Sequence, residues 1–212
     1  MLVRDYWNTL GVRKDFEDPV YLDKLTPYLT KDSYIVEYGC GYGRMMDILH
    51  KAGYHNLIGF DFAQQMIERG KKENSHLNLH LLESSGIIPC ADQSADAIVM
   101  STVLCSMIDP QEKKALILEL KRLLKDEGIL YLTDFLICND PYYEAKYSSG
   151  METFGVFGTY VTAERLIVHH HTPHEIFTLL SPFDIQWFEQ FDFKTMNHNP
   201  ARTFHCIAKR SE

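Results

Sequence analysis

Glu37-Tyr38-Gly39-Cys40-Gly41-Tyr42-Gly43-Arg44 is the stretch on which the fold turns. Before it, Ser33-Tyr34-Ile35-Val36-Glu37-Tyr38 is a short run of strand-forming residues; after it, 44–51 reads as a helix stopped by Gly53. Glycines between a strand and a helix let the backbone turn sharply and pass close to a ligand, while the helix start offers unpaired N–H donors. The spacing is not that of a dinucleotide loop, which needs Gly or Ala where Arg44 stands, and no Gly-Lys-Ser or Gly-Lys-Thr follows to make a P-loop. Asp61 lies 22 residues after Gly39, at the end of a second short strand over 57–60. A carboxylate there accepts hydrogen bonds from both ribose hydroxyls of an adenosine-containing ligand.

Outward from this loop the pattern repeats. Residues 63–72 read as helix, 77–82 as a third strand, and 95–100 as a fourth strand apolar enough to be buried on both faces. Asp109 can cap the next helix, Pro110 suits its first turn and Glu112 completes the capping pattern. Leu116, Leu120, Leu123 and Leu124 form its apolar stripe, Gly128 ends it, and 129–133 is a fifth strand. Strand and helix alternate from 33 to 134, the signature of a parallel sheet covered on both faces. Residues 139–162 are rich in Tyr, Phe, Gly and Ser without a clean period, which suggests a lid or substrate-facing insertion. Thr172-Pro173-His174-Glu175 is a second capping box, opening a helix to about 180. Two β-rich runs, 184–196 and 202–209, joined by Asn197-His198-Asn199-Pro200, read as an antiparallel hairpin at the sheet edge. The expected organisation is one domain over 1–212: an N-terminal helical cover (1–30), a core (33–134), a lid insertion (139–172), and a helix with the C-terminal hairpin (173–210).

Composition bounds the function. With 212 residues, 45% apolar and 24% charged, the chain is globular in character, and disordered, collagen-like and membrane-spanning classes are excluded. Lys plus Arg (21) against Asp plus Glu (29) gives a net charge of −8, which disfavours nucleic acid and anionic membrane surfaces as partners. The N-terminus lacks the apolar core of a signal peptide. The five cysteines (Cys40, Cys90, Cys105, Cys138, Cys206) contain no Cys-x-x-Cys pair and read as reduced thiols, with no zinc knuckle. A cytoplasmic location is expected.

Several motifs now stand in a fixed order: Val36 to Arg44, Gly59-Phe60-Asp61, Ile88 to Asp96, Ser101 to Met107, and Leu123 to Gly128. On these the chain resembles the class I S-adenosylmethionine-dependent methyltransferases over nearly its whole length. The resemblance implies an α/β three-layer sandwich with a seven-stranded, mostly parallel sheet of order 3-2-1-4-5-7-6, the last strand antiparallel. It also implies S-adenosylmethionine as cofactor. By the resemblance, Gly39, Gly41 and Gly43 line the methionine part with Glu37 beneath it, and Asp61 binds the ribose. Phe62 and Met66 flank the adenine, Ser85 and Gly86 meet its edge, and Ser101, Cys105 and Ser106 lie near the sulfonium. Many relatives carry Asp where Ser84 stands, so the contact to the adenine amino group falls to Glu83 or the Ser84 hydroxyl.

Methyl transfer from a sulfonium is an in-line displacement from an activated donor, so the protein mainly aligns nucleophile, methyl and sulfur. A general base is needed only for an acceptor that is protonated at working pH. The candidate base cluster is His169-His170-His171; on an extended strand His169 and His171 share one face and His170 takes the other. Structural histidines are the alternative, and no acid or cysteine joins them at metal-ligand spacing. Tyr142, Tyr143, Tyr147, Phe154 and Phe157 either wall a substrate site or form a lid core, while Tyr160 and Arg165 are weaker pocket candidates. Tyr6 and Trp7 are candidates for the cover of the cofactor cleft, with core packing as the alternative. Asn139-Asp140-Pro141-Tyr142 superficially matches an amino-methylating motif but stands after the wrong strand and lacks its middle proline. Arg69-Gly70-Lys71-Lys72 is a small basic cluster where cations favour a helix end. The reading is a methyltransferase acting on O, N or S of a small molecule, as a monomer or homodimer. Its rivals are a protein or RNA methyltransferase, and a non-catalytic cofactor-binding regulator on the same fold.

Overall fold

The alternating segments fold as expected around one sheet. In the computed structural model, which describes residues 2–83 and 86–211, β1 (Ile35–Tyr38) is fully buried and pairs in parallel with β2 (Leu57–Asp61) on one side and β4 (Ala95–Ser101) on the other. Beyond β2 lies β3 (Leu79–Leu81), and beyond β4 lies β5 (Leu124–Leu136), both parallel. The C-terminal hairpin, β8 (Phe183–Lys194) and β9 (Pro200–Arg210), adds through β9, antiparallel to β5. The seven-stranded sheet therefore runs β3-β2-β1-β4-β5-β9-β8, its chain numbering interrupted by a separate ribbon of β6 (Thr159–Val161) and β7 (Ile167–His169).

Strand alternation sends Val36, Ile98 and Leu130 to one face, where Leu116 and Leu120 of α5 (Pro110–Leu123) cover them. Ile35, Val99 and Ile129 go to the other, against Met45, Met46 and Leu49 of α3 (Arg44–Lys51). The chain leaves β1 for β2 on one side and reaches β4 on the other. Such a point of reversal opens a crevice at the C-terminal ends of the strands, where ligands of open α/β sheets bind. All five cysteines are free thiols.

Two elements differ from expectation. Helix α5 ends at Leu123, five residues before Gly128, because the N–H groups of Gln93 and Ser94 take the carbonyls of Arg122 and Leu123 and Leu124 joins the sheet opposite Ala95. The lid insertion contains a 14-residue helix, α6 (Pro141–Phe154), whose Asp140 cap accepts the Tyr142 N–H at 2.8 Å. The remaining helices are α1 (Val3–Thr9), α2 (Leu22–Leu25), α4 (Gln64–Glu73) and α7 (Pro173–Leu179). At α7 the Thr172–Glu175 capping box forms in both directions.

Candidate functional site

A cavity of about 700 Å³ opens at the crevice beyond β1 and β4. Its floor is the glycine loop. Gly39, Gly41 and Gly43 have φ of +72°, +54° and +87°, a region in which a side chain is strained. At Gly39 an added Cβ would meet Val103 Cγ2 at 2.4 Å, so a larger residue would push the opposite wall away.

Asp61 ends β2 at the cavity and is buried. Its Oδ2 accepts the Gly41 N–H at 2.9 Å and its Oδ1 the Ala63 N–H at 2.7 Å. Burial raises its carboxyl above the usual range, while those two bonds favour the charged form. Each oxygen keeps a lone pair for a hydroxyl donor. Glu37, the last acid of β1, is 3% exposed, and burial pushes its carboxyl up to about 8. Two buried polar atoms on the wall, Glu37 Oε2 and Ser101 Oγ, have no hydrogen-bond partner among the described residues. Buried polar atoms are nearly always paired, so these two mark where a ligand's polar groups fit.

Phe62, Met66, Ser101 and Ser106 join Glu37, Gly39, Gly41 and Asp61 on the cavity wall. Other expected residues lie elsewhere. Gly43 stands behind the loop, where it precedes α3 and a Cβ would meet Leu77 Cδ1 at 2.8 Å. Cys105 points away from the cavity, its Sγ 3.4 Å from the Thr102 carbonyl and its N–H on Asp134. Gly86 lies off the wall. Ser84 and Ser85 fall outside the described residues.

The histidine cluster does not reach the cavity. His169, His170 and His171 are 2–4% exposed and every ring nitrogen has a partner. His170 Nδ1 and Nε2 meet the Tyr147 and Tyr160 hydroxyls at 2.7 and 3.2 Å, and burial lowers its pKa to about 3. His169 Nδ1 meets Thr159 Oγ1 at 2.8 Å and its Nε2 lies 3.4 Å from Glu175. His171 Nε2 lies 2.9 Å from Lys113 Nζ. The rings alternate as expected, His169 and His171 in edge contact and His170 against Phe135, but they bind the lid to the body. Tyr143, Tyr147 and Tyr160 likewise form the lid core, packed with Tyr6, and do not line the cavity.

The roof is the N-terminal segment, with Leu2, Val3, Arg4 and Trp7 of the α1 region and Phe16 above the loop. Sequence reasoning singled out Trp7 but missed Phe16 and the anchors. Arg69, read as part of a basic cluster, donates to the Val12 and Lys14 carbonyls at 3.1 and 2.6 Å and stacks over Tyr42. Tyr6 and Lys14 both bond the Glu164 carboxylate at 2.6 Å, tying the roof to the lid.

Among the described residues no helix is long and apolar enough to cross a membrane. Comparison with known proteins matches a family model described as a methyltransferase domain over residues 36–132. No curated protein matches the sequence. A crystal structure of a SAM-dependent methyltransferase from Methanosarcina mazei is similar at 25% identity and a TM-score of 0.85, over 91% of this chain and 99% of that one. A SAM-dependent methyltransferase from Anabaena variabilis is similar at 19% identity and a TM-score of 0.71, over 98% and 93%. One from Mesorhizobium loti follows at 17% and 0.63, over 89% and 96%. The last two show the fold alone. The domain match takes in the glycine loop, Asp61 and most of strands β1 to β5, and over that region the chain carries a methyltransferase domain of the class I, S-adenosylmethionine-dependent type.

Proposed function

We propose that this enzyme transfers the methyl group of S-adenosylmethionine to an O, N or S atom of a small molecule. The observation that carries the reading is the roofed cavity. At about 700 Å³ it lies within the roughly 300–1,000 Å³ of small-molecule sites, and α1 covers it where a macromolecular acceptor would dock. The acidic rim residues Asp109 and Glu112, with the net charge of −8, further disfavour a polyanionic acceptor.

The residues present fit the cofactor. The unpartnered Glu37 Oε2 suits an ammonium group, and Asp61 has free lone pairs for two ribose hydroxyls. Phe62 and Met66 offer flat and soft apolar surface to the adenine. Gly39 and Gly41 leave the floor open, and Ser101 and Ser106 face the reacting end. When bound, S-adenosylmethionine supplies an electrophilic methyl on a sulfonium. The chain's own work is to bind, orient and exclude water: Trp7 and Phe16 close the roof while Val103 narrows the wall opposite Gly39. Gly43 and Cys105 support this set from behind. His169, His170 and His171 are not carried forward as a base, since each ring is fully engaged away from the wall.

The test uses methyl-labelled S-adenosylmethionine and a cell extract divided by size. Label should pass to the low-molecular-weight fraction. Transfer confined to protein or RNA would overturn the small-molecule reading.

A further inference from the structure

The turn between β4 and α5 forms the cavity wall opposite the glycine loop, and its backbone is not relaxed. Thr102 has φ of +53°, a conformation that a β-branched residue keeps only when its surroundings impose it. Val103 has no slack against Gly39, so any drift of the turn changes the width of the cavity.

The restraint comes from the end of β5. The Thr133 carbonyl accepts the Thr102 N–H at 2.8 Å. Asp134, 0% exposed, accepts the Cys105 N–H on Oδ2 at 3.2 Å and the Phe135 N–H on Oδ1 at 2.7 Å. Behind it lies Lys113 of α5, itself buried, whose positive charge acts on Asp134. His171 Nδ1 donates to the Phe135 carbonyl at 3.2 Å, which leaves its Nε2 lone pair to accept from Lys113 Nζ at 2.9 Å. Neither Asp134 nor Lys113 lines the cavity. Two opposite charges inside a core rarely add net stability over apolar side chains of the same size, so stability alone does not account for them.

We propose that Asp134 is a positioning residue for the ligand cavity: its carboxylate fixes the 101–106 turn through the Cys105 N–H, with Lys113 as counter-charge steadied by His171. The proposal rests on the cavity being the cofactor site. An asparagine would offer one acceptor oxygen in place of two, leaving the N–H of Cys105 or of Phe135 facing an amide NH₂.

The test measures binding of S-adenosylhomocysteine by calorimetry to wild type, Asp134→Asn and the double variant Lys113→Met/Asp134→Asn, with melting temperatures alongside. Asp134→Asn should weaken binding about tenfold or more. The double variant removes the stranded lysine charge, so it should recover stability while keeping the weak binding. Binding by Asp134→Asn equal to wild type overturns the proposal, as does affinity that returns with stability in the double variant. If Asp134→Asn does not fold, the double variant decides. In wild type, the ligand should slow amide exchange at Cys105 more than at Ile129, and an unchanged Cys105 amide also overturns it. Wild type that does not bind the probe overturns the cofactor-site reading together with this one.

Discussion

Asp61 and Gly41 are joined by a 2.9 Å hydrogen bond from the glycine N–H to carboxylate Oδ2, so the acid that closes β2 holds the loop that leaves β1. Through Oδ1 the same carboxylate also fixes the start of α4 at Ala63. Asp61→Ala therefore removes a loop anchor and a hydroxyl acceptor at once. Binding of S-adenosylhomocysteine should weaken by about 1–3 kcal/mol. Calorimetry showing wild-type affinity in a folded variant would remove Asp61 from the site.

Glu37 makes the site sensitive to pH. Burial pushes its carboxyl up to about 8, against about 4.3 in an unfolded chain. Between those values the folded protein holds a proton that the unfolded chain has released, so this residue's contribution to stability falls as pH rises through the window. An ammonium placed against Oε2 favours the charged form and draws the pKa down. Cofactor binding near pH 7 should then release a proton, and affinity should strengthen from about pH 6 to 8. Calorimetry in two buffers of different ionisation enthalpy reads the proton directly. Wild type without proton release, or Glu37→Gln with the same release, would contradict the assignment.

His170 should act on stability and not on the cofactor. Its neutral ring sits between the Tyr147 and Tyr160 hydroxyls, with its pKa lowered to about 3 by burial. As pH falls below about 6.5 the unfolded chain takes up a proton that the folded ring refuses, so stability is lost on acidification. His170→Phe should lower stability at neutral pH by about 1–3 kcal/mol, since the Tyr147 and Tyr160 hydroxyls both lose their ring partner and Tyr147 keeps only the Cys138 N–H. It should also flatten the acid dependence of urea unfolding while leaving cofactor affinity unchanged. A variant as acid-labile as wild type would show that His170 is not the group responsible.

Gly150 is where α6 meets the lid ribbon. A Cβ there would lie 1.6 Å from the Thr159 carbonyl oxygen, with backbone on both sides of the clash. Gly150→Ala must lift α6 off β6, at a cost of about 1–3 kcal/mol. Limited proteolysis should then cut within 139–172 well before the 33–134 core. A lid as resistant as wild type would mean that the helix can slide without cost.

The loop and Asp61 were legible in the sequence because backbone geometry restricts the choice: three positive-φ positions call for glycine, and one strand end needs a short acid. The sheet was legible because its apolar runs alternate with capped helices. Helix α6 was not, although Asp140-Pro141 opens it with the same chemistry as Asp109-Pro110 in α5. Its buried face consists of Tyr143, Tyr147 and Gly150, with no aliphatic stripe to betray a period. The alternating faces of the histidines could be read, but their partners, Tyr147, Tyr160, Lys113 and Glu175, come from distant segments. Lys113 itself sits in the charged run Gln111-Glu112-Lys113-Lys114, where nothing local signals a buried side chain.

The roof has a mechanical consequence. Its ties gather on residues 6 to 15: Tyr6 and Lys14 on Glu164, the Asn8 side chain on the Gln65 N–H, and Val12, Lys14 and Asp15 on Arg69. Ahead of them, Leu2 is 74% exposed, and Arg4 bonds the Glu83 carbonyl at 3.4 Å and lies over the Phe62 ring, 5.7 Å from its centroid. The roof is thus bonded mainly over residues 6–15, while residues 2–4, which line the cavity, are held by fewer contacts. Parting residues 2–4 from the cavity wall would cost the Arg4 and Val3 contacts and leave the bonds to Glu164 and Arg69 intact.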